Sequence, residues 1–354
     1  MNHPMITHPE FLDQINSTTP ASLQLPKPFK TYSELIDLLK SKGMIIKNDE
    51  KATRKLSQIG YYRLSGFWHV FRVPILDSDG VPLIDPIIGQ PKREDFFYPA
   101  TDFDDVISLY LFDKKLRLLL LDAIERVEIH LRSVIAHELS KYDPVAYKRE
   151  KFIHPESLKD YDRDGITKNA WRDWSAKHEE IINRSKDTFI VWNKNNYKEI
   201  PFWVVVETWD FGLMSNYFNI LNDKSKDVIC KRVNVPIKKT LNNWLQEING
   251  LRNRCAHHSR IWNIRLNNPL TLKGFKTHEY FTKLSIEKDF PRRRMYGTIC
   301  ILWYLVKNIG PSSKWIEKVA NHIDTFPNNQ HVLFNAMGFP DENGFPRTKF
   351  GLSK

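Results

Sequence analysis

The segment RNRCAHH, residues 252–258, concentrates arginine, asparagine and histidine side chains in one short stretch of the chain. Three roles are open to such a segment: a basic surface, a metal site or a catalytic element. Metal binding has the weakest support, because adjacent histidines do not share a helix face and Cys255 with His258 supplies only two ligands. The chain also contains neither an HExxH nor a CxxC pattern. A solvated polar face and a catalytic element both remain open.

The motif is predicted to lie on a helix over 236–264, since apolar residues recur there at helical spacing. The apolar side of this helix contains Trp244, Ile248, Leu251, Cys255 and Trp262. Asn253 and His257 fall together on the opposite side, with Arg260 beside them. His258 lands nearer the apolar side, so it is predicted to be a buried, hydrogen-bonded structural residue.

An outward stripe of this composition is suited to cleaving RNA without a metal ion. The reaction needs a base that takes the 2′-hydroxyl proton, an acid that protonates the 5′-oxygen, and cations near the phosphorane oxygens. Histidine can perform either proton transfer near neutral pH, and arginine donates a fixed fork of hydrogen bonds to phosphate. One stripe supplies half of such a site. Two copies that meet across a two-fold axis would supply one base and one acid.

The composition favours a soluble protein with an anionic partner. The 354 residues include 53 basic and 42 acidic side chains, so the formal net charge is +11. RNA, DNA and an acidic protein are all compatible with that charge. The three cysteines are widely spaced, which disfavours a disulfide framework. Since no stretch has the pattern of a signal peptide or the length of a membrane span, we expect a cytoplasmic protein without membrane contact.

Helical periodicity dominates the chain. Residues 103–142 contain neither glycine nor proline, and their apolar positions recur at helical spacing, which predicts one helix of roughly ten turns. Further helices are predicted over 32–43, 48–60, 171–196, 201–221, 226–232 and 236–264, with two more after residue 290. The aromatic run 61–72 has no diagnostic period, and residues 73–102 are predicted to be a long connection. No alternating strands are evident, so the predicted fold class is all-α.

Arg252, Asn253 and His257 resemble the Arg-x(4–6)-His motif of ribonucleases of the HEPN superfamily. Five longer stretches, in the same order along the chain, resemble the Abi (AbiD/AbiF-like) abortive-infection proteins of bacteria, a branch of that superfamily. They are KPFKTYSELIDLLKSKGMII, IGYYRLSGFWHVFR, YLFDKKLRLLLLDAIERVEIHLRS, PFWVVVETWDFGLMSNYF and NWLQEINGLRNRCAHHSRIWN. Together these stretches extend over residues 27–263.

The resemblance implies an all-α, HEPN-like helical bundle that forms a homodimer and builds a composite ribonuclease site without metal or cofactor. In that site His257 would be the general base or acid, Arg252 the cation at the phosphate, and Asn253 the residue that orients His257 or the substrate. It also implies RNA as substrate, a small non-coding RNA as regulatory partner, and a toxin-like role in anti-phage defence. The predicted regions are a flexible arm (1–26), an N-terminal helical and aromatic region (27–100), a HEPN-like core (101–265) and a C-terminal helical extension (266–354).

Other residues are predicted to support the site or to contact RNA. On the polar face of the long helix, Glu125 and Glu128 are predicted either to pair with an arginine of the motif helix or to form ordinary surface pairs. His258 is assigned a supporting role. The predicted RNA contacts are Arg63, Arg72, Arg254, Arg260, Arg292, Arg293 and Arg294. The last three precede a predicted helix, where the helix dipole disfavours cations, so they either bind an external anion or form a solvated cluster.

The leading hypothesis is therefore a metal-independent endoribonuclease of an abortive-infection system, with its site composed across a homodimer. The alternative is a non-catalytic RNA-binding protein that holds a structured small RNA. A third hypothesis is an interaction protein, in which the polar stripe is only a dimer contact.

Overall fold

Twelve α-helices make up most of the chain that the structure describes. The structure is a computed structural model, and it describes residues 26–86, 91–275, 277–282, 284, 290–327, 329–340 and 344–353. The helices are α1 (Tyr32–Ser41), α2 (Asp49–Ile59), α3 (Tyr61–Trp68), α4 (Phe103–Ser140), α5 (Ala170–Arg184), α6 (Thr188–Asn196), α7 (Phe202–Val205), α8 (Phe211–Ile220), α9 (Asp223–Arg232), α10 (Lys238–Ala256), α11 (Met295–Ile309) and α12 (Trp315–Ile323). This confirms the predicted all-α fold class.

The longest helix, α4, runs for 38 residues through the centre of the core. Asp102 caps its start, because the Asp102 side chain accepts a hydrogen bond from the backbone N–H of Asp104 at 2.9 Å. The buried positions of its predicted stripe are Leu109, Leu116, Leu120, Ile124, Val127, Leu131 and Ile135. Helices α3, α7, α9, α10, α11 and α12 all pack against α4. The single long helix predicted from the periodicity is confirmed.

The motif-bearing helix, α10, packs against α4 and α8. Its buried side chains include Trp244, Ile248, Leu251 and Cys255, as predicted. Burial of each large apolar side chain contributes about 1.5–3 kcal/mol, so this face holds α10 firmly in place. Helix α8 lies beside α10 at Gly212, where an added Cβ would be in ordinary van der Waals contact with Oδ1 of Asn249, at 3.5 Å.

Two segments that were predicted as continuous helices are each broken in two. Residues 171–196 form α5 and α6, because Ser185 and Asp187 form hydrogen bonds with each other in the break between the two helices. Ser185 Oγ donates to Asp187 Oδ2 at 2.7 Å and accepts from the Asp187 N–H at 3.2 Å. Residues 201–221 form α7 and α8. Asp210 starts α8 by accepting a hydrogen bond from the Leu213 N–H at 2.6 Å.

Two small antiparallel sheets interrupt the helices. β1 (Arg72–Pro74) pairs with β2 (Arg93–Phe97), and β3 (Tyr161–Arg163) pairs with β4 (Ile166–Lys168). The predicted connection 73–102 therefore contains a short sheet. Its residues 87–90 lie outside the described residues, as do residues 1–25 of the predicted arm.

The C-terminal helices pack onto the same core as the motif helix. Trp315 of α12 donates from Nε1 to the backbone carbonyl of Leu119 at 2.7 Å, and Nε2 of His322 lies 2.9 Å from the carbonyl oxygen of Phe112. Both carbonyls belong to α4, so α12 is bonded directly to the central helix. Among the helices of the described ranges, none combines the length and the apolar character that a bilayer crossing requires.

Candidate functional site

The RNRCAHH motif lies across the end of α10. The helix stops at Ala256, so the predicted continuation past the motif is wrong. Two backbone hydrogen bonds close it: the Ser259 N–H donates to the Arg254 carbonyl at 2.8 Å, and the His258 N–H donates to the Cys255 carbonyl at 3.1 Å. This is the Schellman arrangement, whose left-handed residue is usually glycine. Here His258 takes that conformation with φ 57°, so the sequence contains no glycine to mark the stop.

His257 is the capping residue of α10, and its side chain is exposed as predicted. Its backbone N–H donates to the Asn253 carbonyl at 2.9 Å, which places the two residues one turn apart at the helix end. The Asn253 side chain is also exposed. The prediction that His258 is buried is wrong, because the helical geometry on which it was based ends two residues earlier. Imidazole groups at both positions therefore face solvent.

Arg252 is half-buried and leans towards its neighbour, with Nη1 3.4 Å from Oδ1 of Asn253. The charge of Arg252 also affects the pKa of Glu128 on α4. Burial raises this pKa, while the positive charges of Arg132 and Arg252 lower it. The direct ion pair of Glu128 is with Arg132, one turn along α4. Glu128 is thus near the motif arginine without pairing to it directly. Glu125 is exposed and has no ion pair among the residues that the structure describes.

A buried carboxylate, not anticipated from the sequence, anchors the chain just after the motif. Asp113 of α4 is 0 % exposed, and its Oδ1 accepts hydrogen bonds from the backbone N–H groups of Ile261 at 2.9 Å and Trp262 at 2.7 Å. Arg117 pairs with Asp113 and donates from Nη1 to the Ser259 carbonyl at 3.2 Å. Burial raises the pKa of Asp113 to about 6, although Arg117 and the two N–H groups oppose the rise. The available signal was a charged residue within the apolar stripe of α4.

Two arginines tie the same turn to α3. Arg63 donates from Nη1 to the backbone carbonyl of His258 at 2.7 Å, and Arg260 donates from Nη1 to the backbone carbonyl of Gly66. Burial lowers the pKa of Arg260. The predicted place of Arg260 on the exposed stripe beside His257 is therefore wrong. Since α10 has already ended, Arg260 turns inward and becomes a structural link.

The chain downstream of the motif also hydrogen-bonds to the side of α10. Glu247 accepts from the backbone N–H of Asn268 at 3.1 Å, and Asn243 accepts from the Thr271 N–H at 2.7 Å. The Trp244 indole donates to the Thr271 carbonyl at 2.9 Å. Buried and half-buried side chains thus satisfy the backbone of an irregular segment, and both sides of the motif are fixed to the scaffold.

The arginine cluster before α11 supports the fold. Arg293 donates from Nη1 to the carbonyl of Asn267 at 2.8 Å, and Arg294 donates from Nη1 to that of Asn263 at 2.9 Å. Arg292 is half-buried beside them. These bonds hold the segment that follows the motif. They show that the cluster is not a loose solvated group, whereas an RNA contact of Arg292, Arg293 and Arg294 stays a prediction.

The remaining predicted RNA contacts divide into two kinds. Arg72 forms an ion pair with Asp95 at 3.3 Å, and its guanidinium lies 5.8 Å from the centre of the Phe97 ring, so it belongs to the β1–β2 sheet. Arg63 and Arg254 keep exposed side chains next to the motif. Arg72, by contrast, is half-buried.

The cysteine within the motif is a packing residue. Burial raises the pKa of Cys255 to about 12, so its thiol is neutral and a poor nucleophile. Cys230 and Cys300 are likewise buried free thiols. Across the described ranges, no group of three or more His, Cys, Asp or Glu side chains is placed to hold a metal ion.

Comparison with known proteins supports the resemblance to Abi proteins. The family model described as "Abi-like protein" matches residues 54–263, a span that begins in α2 and includes the entire motif. No curated protein and no solved structure matches the chain. Since the matched span is more than half of the 354 residues, the family assignment covers the central helix as well as the motif. The chain belongs to the family of Abi-like proteins.

Proposed function

We propose that this Abi-like protein is a metal-independent endoribonuclease of the HEPN type, which acts as a toxin in abortive infection. Three features support the proposal: the family, the order of Arg252, Asn253 and His257 in the motif, and the exposed position of the imidazole at the end of α10. The formal charge of +11 is consistent with an RNA substrate.

The proposed reaction is an attack of the ribose 2′-oxygen on the adjacent phosphorus. One imidazole takes the 2′-hydroxyl proton while the P–O5′ bond breaks, and a second imidazole gives a proton to the leaving 5′-oxygen. The products are a 2′,3′-cyclic phosphate and a 5′-hydroxyl. Arg252 would donate hydrogen bonds to the phosphorane oxygens, whose negative charge grows in the transition state.

Two copies of the chain would complete the site. The motif provides one His257 per chain, whereas the reaction uses one base and one acid. An isologous dimer places the same patch of both chains at its two-fold axis, so the two imidazoles would share one scissile phosphate. Asn253, one turn before His257, would orient the imidazole or the substrate.

The observation that carries the proposal is the rigid presentation of an exposed imidazole. His257 sits in a backbone turn that is closed by hydrogen bonds and held by Arg63, Arg117 and Asp113. A catalytic group must be held in position within a fraction of an ångström, and groups on firmly supported elements meet that requirement. A merely solvated polar face needs no such support.

The test compares purified wild-type protein with His257→Ala on a structured RNA, with and without a chelator. We expect wild-type cleavage that yields cyclic phosphate ends and is insensitive to the chelator, and no cleavage by His257→Ala. His137→Ala is the matched control, since His137 is also an exposed histidine but lies on a different helix, α4. Full cleavage by His257→Ala would overturn the assignment. Wild-type protein that binds RNA in a salt-sensitive way without cutting it would favour the non-catalytic RNA-binding function instead.

A further inference from the structure

A cavity of about 530 Å³ lies between α5, α6 and the backbone around residue 148. None of the motif residues lines it, so it is separate from the site described above. Its volume is within the usual range for small-ligand sites. Its wall combines aromatic rings, a buried histidine and several basic side chains.

The aromatic part of the wall is a stack along one face of α5. Trp171 and Trp174 lie 5.6 Å apart with planes 12° from parallel, and Trp174 and His178 lie 5.1 Å apart with planes 9° from parallel. Trp174 and His178 are buried, whereas Trp171 is half-buried at the outer end of the stack. A flat ring that enters the cavity can extend such a stack, and nucleobases bind proteins in this way.

His178 provides a specific hydrogen-bond donor in this wall. It is only 4 % exposed, and its Nδ1 accepts a hydrogen bond from the Trp209 indole at 3.1 Å. Burial, with a smaller contribution from Lys148, lowers the pKa of His178 to about 4, so the ring is neutral and its proton is on Nε2. Within the residues that the structure describes, Nε2 has no hydrogen-bond partner. An N–H donor of a histidine on the wall of a cavity is suited to a carbonyl or ring-nitrogen acceptor of a ligand.

The rim of the cavity is basic. Four cationic side chains line it, against two carboxylates: Lys148, Arg149, Lys194 and Lys198, with Glu179 and Glu199. Lys148 and Arg149 share Glu199, at 3.7 Å and 3.1 Å. Lys198 is exposed, which leaves its ammonium group open to an incoming anion.

We infer that this cavity binds a nucleotide, with the base against the Trp171–His178 stack and the phosphate at the lysine rim. The base supplies the flat ring and the hydrogen-bond acceptor, and the phosphate supplies the anion. The same chemistry is present in a free nucleoside monophosphate and in one nucleotide of a single-stranded RNA. The inference does not depend on RNA cleavage at His257.

The experiment is calorimetric titration of the full chain with AMP, UMP, inorganic phosphate and a short 2′-O-methyl oligoribonucleotide, which resists attack through the 2′-position. We expect both nucleotides to bind, and Trp171→Leu and Lys198→Gln each to weaken binding about tenfold, since loss of one stacking or charge contact has that order of effect. Trp203→Leu and Lys186→Gln are the controls, because both residues are exposed and neither lines the cavity.

The oligonucleotide arm identifies the source of the ligand. If the oligonucleotide displaces AMP and binds more tightly, the site takes a nucleotide of an RNA strand; if only the mononucleotides bind, it takes a free nucleotide. Either result supports the inference. Absence of binding by every probe, wild-type affinity in Trp171→Leu, or equal affinity for phosphate and AMP would overturn it.

Discussion

The carboxylate of Asp113 and the backbone N–H of Trp262 are joined by a hydrogen bond of 2.7 Å. Asp113 lies in the first third of the central helix α4, and Trp262 follows the motif by a few residues, after the turn that ends α10. The bond therefore sets the direction in which the chain leaves His257. Because Asp113 is buried with Arg117, this contact is part of the core as well as part of the site.

Asp113→Ala is expected to destabilise the protein by about 3–5 kcal/mol, since it leaves Arg117 buried without its counter-charge. Two backbone N–H groups also lose their acceptor. Urea denaturation measures the change. The control is Asp122→Ala, which breaks the partly exposed pair with Arg126 on the same helix and should cost about 1 kcal/mol or less. Similar losses in the two variants would refute a structural role for Asp113.

Arg252→Lys is expected to reduce the rate of RNA cleavage by about two to three orders of magnitude, because lysine cannot present the guanidinium fork to the phosphorane. RNA affinity should fall much less. Single-turnover cleavage with saturating protein separates the two effects. Arg254→Lys, an exposed substitution two positions along the helix, should leave the cleavage rate nearly unchanged. Equal rates in the two variants would argue against Arg252 as the transition-state cation.

Mixtures of wild-type and His257→Ala chains test whether the site spans a dimer. If one imidazole comes from each chain, a mixed dimer is inactive, and an equimolar mixture retains about one quarter of the wild-type activity after subunit exchange. If each chain carries a complete site, the mixture retains about half. The same titration with His137→Ala chains should leave activity constant, which controls for subunit exchange itself.

His258→Gly is expected to keep the fold and to raise its stability by up to about 1 kcal/mol, because glycine adopts a positive φ without steric cost. His258→Val should lower the stability by about the same amount or more. Thermal unfolding compares the two variants. Cleavage by His258→Gly should equal that of the wild type if His257 alone provides the imidazole. A folded but inactive His258→Gly variant would assign His258 to the chemistry.

The buried His178 predicts a specific pH dependence of stability. Its pKa is about 4 in the folded protein and near 6.5 when unfolded, so the unfolded chain takes up a proton first as the pH falls. The contribution of neutral His178 to the free energy of unfolding is therefore complete above pH 6.5. It is lost as the pH falls towards 4, and the loss is about 3 kcal/mol at most. Asp113, with its pKa raised to about 6, acts in the opposite direction in part of this range, so a single curve is not diagnostic.

The comparison of wild type with His178→Gln isolates the histidine. We expect the difference in unfolding free energy between the two proteins to be larger at pH 7 than at pH 4.5, in urea denaturation at each pH. A difference that does not change with pH would show that His178 titrates normally in the folded state.

Much of the helical scaffold was predictable from local pattern. The α4 stripe could be recognised because a period of 3.6 residues puts all its apolar side chains on one face, whatever packs there. The same reasoning placed Asn253 and His257 together on an exposed face, since both lie on or at the end of a regular helix. Helix formation and the face on which a side chain lies depend on neighbours in the chain. Short stretches of sequence are therefore enough to predict them.

The end of α10 and the bonds around it were decided by tertiary structure. A histidine in the left-handed conformation, His258, ends the helix, and the residue type alone does not predict a helix end there. The backbone groups that Asp113, Arg63 and Arg260 bind lie more than a hundred residues away in the chain. Every residue except proline offers the same backbone N–H and carbonyl. For that reason the sequence shows that a charged side chain is present, while only the packed fold determines which backbone group it meets.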